Sequence, residues 1–138
     1  MLNGITFYTD DKIWAGILSD LNAAAMGKDI ADIVFVPVSG PVSVIELKSQ
    51  IIKHIDGERD AAMRAIGTDL DLPENIIKII TLLSRAGTDG ISGDSLKIAI
   101  GYAPDAISHA LDTTIYNIRK MFGQDFIKTD KGRYFIGV

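Results

Sequence analysis

The sequence contains no cysteine, which excludes disulfides, thiolate zinc sites and a cysteine nucleophile. That absence fits a reducing cytosol. Long apolar runs are missing as well. A stretch such as Ile33–Val38 falls far short of the ~20 apolar residues a membrane-spanning helix needs. The first residues, Met1 to Asp11, carry neither the basic region nor the apolar core of a signal peptide. A soluble, cytoplasmic protein with no membrane partner is therefore expected. There is no glycine-rich phosphate loop, no Gly-x-Ser-x-Gly and no His-Glu-x-x-His, and neither of the two histidines sits near an obvious nucleophile. No enzyme activity and no cofactor are expected. Proline is scarce, four in all, and each stands at an expected break in regular structure.

Positive charge is not in excess either: the net charge is −4. It is unevenly distributed. Residues 1–69 carry six Lys and Arg against ten Asp and Glu, whereas residues 70–138 carry eight of each. Residues 119–138 hold Arg119, Lys120, Lys128, Lys131 and Arg133 against Asp125 and Asp130, a local +3. Local distribution, more than the total, decides where a polyanion can dock.

What is present is ordinary globular composition, 47% hydrophobic and 23% charged, in 138 residues. That length accommodates one domain or two small mutually supporting ones. Ile5–Tyr8 is a short β-type run. Thr9-Asp10-Asp11 opens a helix whose apolar positions are Ile13, Trp14, Ile17, Leu18 and Leu21, and Ala23–Met26 with Gly27 end it. Asp32–Val36 is a nearly continuous apolar run, as in a strand buried on both faces, stopped by Pro37 and a Ser39-Gly40-Pro41 turn. A second helix places Val44, Leu47, Ile51 and Ile55 on one face. Gly57 is expected to break it, with a weaker helical segment over Glu58–Ile66. The β-α-β-α order implies a parallel strand pair and a small α/β lobe over residues 1–66, suited to dimerisation or partner binding.

Residues 67–72 read as a linker. Pro73 and Glu74 then suit the first turn of a helix in which Ile76, Ile77, Ile79, Ile80, Leu82 and Leu83 make a central core element. Ala86 to Gly90 is a turn, and Ser92 is an N-cap for a short helix burying Leu96 and Ile100. Tyr102–Ala106, with Pro104, forms a loop. The last helix sets Leu111, Ile115, Ile118 and Phe122 on one face and stops at Gly123. Phe126–Thr129 and Arg133–Ile136 follow as strands joined across Asp130-Lys131-Gly132. The order in residues 73–138 is helix, helix, helix, hairpin.

On these residues the chain over 72–138 resembles the winged helix-turn-helix DNA-binding domain of OmpR/PhoB-type response regulators. The resemblance rests on the helix opening at Leu72-Pro73, the Ile91-Ser92…Leu96 entry, Leu111-Asp112-Thr113-Thr114-Ile115-Tyr116-Asn117-Ile118-Arg119-Lys120 in the place of the recognition helix, and Phe126–Tyr134 in the place of the wing. It implies that His109, Thr113, Thr114, Tyr116, Asn117 and Lys120 face the major groove. Lys128, Lys131 and Arg133 then meet phosphate or the minor groove, and Arg119 contacts phosphate or braces the wing. Asn suits adenine, Thr offers a hydroxyl or a methyl, and Lys suits phosphate. The family's recognition helix carries more arginines than this one, and its wing is one residue longer. Modest affinity per protomer is the expectation.

The first half resembles a shortened, degenerate receiver domain, with Phe7–Asp11 in the place of its first strand and acidic pair. Pro37, or at best Ser39, stands where the phospho-accepting aspartate is expected. Asp10 and Asp11 then serve a helix N-terminus better than a Mg²⁺ site. His54, Asp56, Glu58 and Asp60 read as a charged helix end.

The function expected is a sequence-specific transcriptional regulator that binds double-stranded DNA without aspartyl phosphorylation, as a homodimer, with RNA polymerase or another regulator as protein partner. Its alternative is an adaptor or antagonist of another regulator on a winged-helix scaffold. A phosphorylation-switched regulator is a third reading, opposed by Pro37.

Overall fold

The protein, described by a computed structural model over residues 2–37, 43–67, 72–103 and 109–137, is an α/β fold. Among these residues it contains five α-helices and two three-stranded sheets, one of them parallel. The expected turn at Ser39-Gly40-Pro41, most of the 67–72 linker and Pro104 lie outside the described residues. The chain divides into two compact units, 1–58 and 59–138.

The first unit starts with β1 (Thr6–Tyr8), α1 (Lys12–Asp20), β2 (Ala24–Ala25) and β3 (Ile33–Val34). Its sheet has the order β2-β1-β3, all parallel. The expected strand pair is thus a triplet, because Ala24-Ala25 returns beside β1 instead of merely ending the helix. Asp11 caps α1: its carboxylate accepts from Ile13 N–H and Trp14 N–H at 2.9 and 3.0 Å. Thr6 and Asp32 lock the strand starts together. Thr6 N–H donates to Asp32 Oδ2 at 3.0 Å, and Asp32 N–H donates to Thr6 Oγ1 at 2.8 Å.

Phe7, Leu18, Ile33 and Phe35 form the core with Leu47 and Ile51, and Trp14 packs its ring 5.1 Å from Phe35. Two expectations need correction here. Of the five expected apolar positions, Trp14 and Leu18 in α1 and Leu21 at its C-cap turn inward, leaving Ile13 76% and Ile17 38% exposed, since a 3.6-residue period cannot bring all five onto so narrow a face. The run at Asp32–Val36 is not buried on both faces: Val36 lies past the paired stretch and is 74% exposed.

Helix α2 (Val44–Ala65) contributes Leu47 and Ile51 to this core and continues through Gly57 without a break. A glycine inside a helix is unfavourable by only ~1 kcal/mol, and the residues on both sides are adequate helix formers, so the ladder persists.

In the second unit α3 (Glu74–Ala86) buries Ile76, Ile77, Ile79, Ile80, Leu82 and Leu83, as its sequence demands. Thr81, also buried, donates its hydroxyl to the Ile77 carbonyl at 2.7 Å. Pro73 occupies the cap position immediately before the helix, with ψ 143°, one step earlier than its expected place in the first turn. Glu74 meets Arg59 at 2.7 Å. A short 3-10 turn, Gly87–Asp89, leads to β4 (Ile91–Ser92), α4 (Gly93–Ala99), α5 (Ala110–Phe122), β5 (Ile127–Asp130) and β6 (Arg133–Ile136). Ser92 caps α4 as expected, accepting from Ser95 N–H at 3.2 Å. The second sheet has the order β4-β6-β5, antiparallel throughout, so Ile91-Ser92 is a strand as well as a helix entry. No helix among the described residues is long and apolar enough to cross a membrane.

The continuity of α2 is testable. A Cβ at Gly57 meets nothing within 4 Å and the backbone φ is not left-handed. Gly57→Ala should therefore stabilise the protein by about 0.5–1 kcal/mol in urea unfolding. A helix broken at this glycine by a positive φ would give the opposite sign.

Candidate nucleic-acid interface

Helix α5 is two-faced. Leu111, Ile115 and Ile118 are buried, and Phe122 stacks on Phe126 at 4.8 Å. His109, Thr113, Tyr116, Asn117 and Lys120 recur at helical spacing on the opposite side, and all five are exposed. Tyr116 is 62% exposed, a large aromatic presented to solvent in the middle of the helix. His109 Nδ1 lies 3.6 Å from Asp112 Oδ2, so a protonated His109 has a local counter-ion. Thr114 sits at the edge of this face, half-buried, with its hydroxyl donated to the Ala110 carbonyl at 2.8 Å. The proton that could have read an acceptor is thereby engaged within the helix.

The hairpin behind α5 is a tight one. Asp130 pairs with Arg133, leaving Lys131 and Gly132 as the loop, with φ of 53° and 77°. Positive φ at both central residues is the type I′ geometry, whose twist matches that of the flanking strands. The shortness expected of this loop is therefore a two-residue turn with Lys131 at its tip. Lys128 is exposed along β5 and pairs across to Phe135.

The two arginines behave differently from the lysines. Arg119 is half-buried and donates from Nε and Nη2 to the Ile127 carbonyl, at 3.1 and 2.9 Å. It ties the last turn of α5 to the first residue of β5. Arg133 donates from Nε to the Asp89 carbonyl at 2.9 Å and from Nη2 to the Gly90 carbonyl at 3.0 Å. It ties β6 to the turn before β4. The side chains of Lys120, Lys128 and Lys131, in contrast, form no ion pair among the described residues. A brace is one of the two roles expected of Arg119, whereas for Arg133 only a phosphate or minor-groove contact is expected, because the acceptors are backbone carbonyls, which leave no residue-type signal. Only Gly90 hinted at them. A Cβ there would lie 2.6 Å from the Tyr134 carbonyl, and its φ is 66°.

Elsewhere, Asp11 is engaged in its cap, and no cluster of three or more His, Cys, Asp or Glu able to hold a metal occurs among the described residues. His54 lies 3.8 Å from Glu58, one helical turn along α2, an ordinary surface pair. In comparisons with known proteins, no family model, curated protein or solved structure matches the chain.

The braces should carry stability. Arg119→Ala removes two donors from a part-buried carbonyl and should destabilise by about 2 kcal/mol, and Arg133→Ala, at a more exposed corner, by about 1 kcal/mol. Arg119→Lys should not recover the loss, because an ammonium lacks the planar fork. Urea unfolding of the three variants checks the order.

Proposed function

We propose that residues 73–138 form a winged helix-turn-helix, and that the protein is a sequence-specific DNA-binding transcriptional regulator of the OmpR/PhoB-like type, working as a homodimer without aspartyl phosphorylation. The observation that carries this reading is one of order and pairing. The elements run α3, β4, α4, α5, β5, β6, with β4 joined to β6, and the polar face of α5 lies in the same unit as a lysine-tipped hairpin. A helix whose outer face is polar, followed by a basic two-stranded wing, suits a major groove flanked by phosphates.

In this reading Asn117 is the principal base reader, bidentate to adenine, with Thr113, Tyr116 and His109 around it. Lys120, Lys128 and Lys131 meet phosphates. Arg119 and Arg133 serve as braces first, since both use two guanidinium donors internally. Pro37 in the expected phospho-acceptor position, and the engagement of Asp11 as a helix cap, support control by something other than an aspartyl phosphate. Exposed Ile13 and Ile45 on α1 and α2 supply apolar surface that a homodimer could cover.

A second reading, an adaptor or antagonist of another regulator, is favoured by one specific feature. The outer face of α5 carries exposed Tyr116 and no arginine, a composition that suits protein contacts as well as DNA. One protein partner, with DNA affinity no better than nonspecific, would select it.

Salt-titrated DNA binding separates the two. Each phosphate contact releases about 0.9 counterions, so replacing Lys128 and Lys131 by Ala should lower the salt slope by about 2. Adding Arg133→Ala should lower it by less than one more. Asn117→Ala should weaken the specific site by about 1–3 kcal/mol while leaving nonspecific binding unchanged. An unaltered slope in the double lysine variant removes the wing from the interface.

A further inference from the structure

A cavity of about 520 Å³ opens within the second unit. Ile66, Leu83, Phe135 and Ile136 supply apolar wall, Thr88 lines it as well, and Lys128 is the one charged side chain among the described residues that line it. Its volume lies in the range of small-molecule sites, which pair mostly apolar walls with one or two placed polar groups. The Lys128 stem runs beside Gly137. Gly137 has no side chain, and a Cβ built on it would lie 2.7 and 2.6 Å from the Lys128 Cδ and Cε, so the lysine stem occupies the space a side chain would fill. No carboxylate among the described residues pairs with this ammonium.

We infer that this cavity binds an amphipathic monocarboxylate, an unbranched or aromatic acid whose apolar part fills the space between α3 and β6 and whose carboxylate pairs with Lys128. Charge complementarity selects the class. Among the described lining residues a single cation faces apolar wall, which matches a single anionic head on an apolar body, and a dianion would leave one charge unpaired against that wall. Lys128 is also a proposed phosphate contact, so an occupied cavity should weaken DNA binding. That consequence rests on the DNA-binding reading; the ligand site itself does not.

Amide NMR of the full chain titrated with octanoate tests the site. Saturable shifts are expected at Leu83, Thr88, Phe135 and Ile136, and each methylene removed from the acid should weaken binding about fourfold. Lys128→Gln should weaken octanoate about tenfold and leave octanol unchanged. Ser84→Phe, at an exposed position of α3 that lines the cavity, should abolish both. Absence of saturable shifts overturns the proposal, as does an equal loss of octanoate and octanol on Lys128→Gln. If octanoate binds as described and the protein has no DNA affinity, the site stands and the DNA-binding reading falls. If DNA binds and octanoate does not, the reverse holds.

Discussion

The short pairing of Ile91-Ser92 with Arg133-Tyr134 determines where everything else in the second unit can sit. A two-stranded hairpin alone is marginal in water, and it acquires a fixed place only when a third strand or a helix covers it. Here β4 supplies the third strand and fully buried Ile91 inserts beneath it. The approach depends on two glycines. Gly90 has no Cβ where one would stand 2.6 Å from the Tyr134 carbonyl, and Gly93 brings α4 to 3.3 Å of the Tyr134 ring by the same measure. Arg133 then closes the corner through the Asp89 and Gly90 carbonyls. Because β4 directly precedes α4, and β5 follows α5, this one pairing fixes the hairpin against both ends of the helical pair.

The same corner explains how the cations divide. A guanidinium offers donors in a planar fork, so it can satisfy a carbonyl from two directions or bridge two neighbouring carbonyls. Arg119 does the first and Arg133 the second. Lysine lacks that fork, and the lysines remain as point charges on flexible stems. The local +3 of residues 119–138 is therefore mostly an electrostatic feature carried by Lys120, Lys128 and Lys131, with the arginines holding the surface that displays it. On the DNA-binding reading, base discrimination falls to the neutral side chains of α5, Asn117 foremost.

Much of this architecture is visible in residue order alone. The isoleucine-rich α3, the split faces of α5, the Ser92 cap and the hairpin all follow from local spacing and turn chemistry, and so does the role of Asp11. The illegible parts are those in which a partner distant in sequence decides. Ala24-Ala25 has little β preference and becomes a strand because Thr6 and Phe7 lie beside it. Ile91-Ser92 is too short for any periodicity and becomes one because Arg133 and Tyr134 do. Gly57 looks like a stop, yet nothing around it imposes a left-handed backbone, so α2 continues. At the candidate interface, charge alone does not tell a bracing guanidinium from a lysine that makes no ion pair among the described residues, since the acceptors are main-chain oxygens.

Register links the hairpin turn to both the core and the cavity. Side chains on a strand alternate faces, so a slip of one residue exchanges every inward position for an outward one. The Lys131-Gly132 turn fixes the count: with both residues at positive φ, Asp130 must face Arg133, and Ile127 must then face Ile136. That count buries Ile127 and sets Lys128 opposite Phe135, where both line the cavity. A non-glycine residue with left-handed φ is unfavourable by ~1 kcal/mol, and Lys131 accepts that conformation at the tip. Asparagine or glycine there would suit the turn better on conformational grounds alone. A lysine in its place keeps the two-residue turn and its register while carrying a charge at the furthest reach of the hairpin, so one residue serves the fold by its backbone and the surface by its side chain.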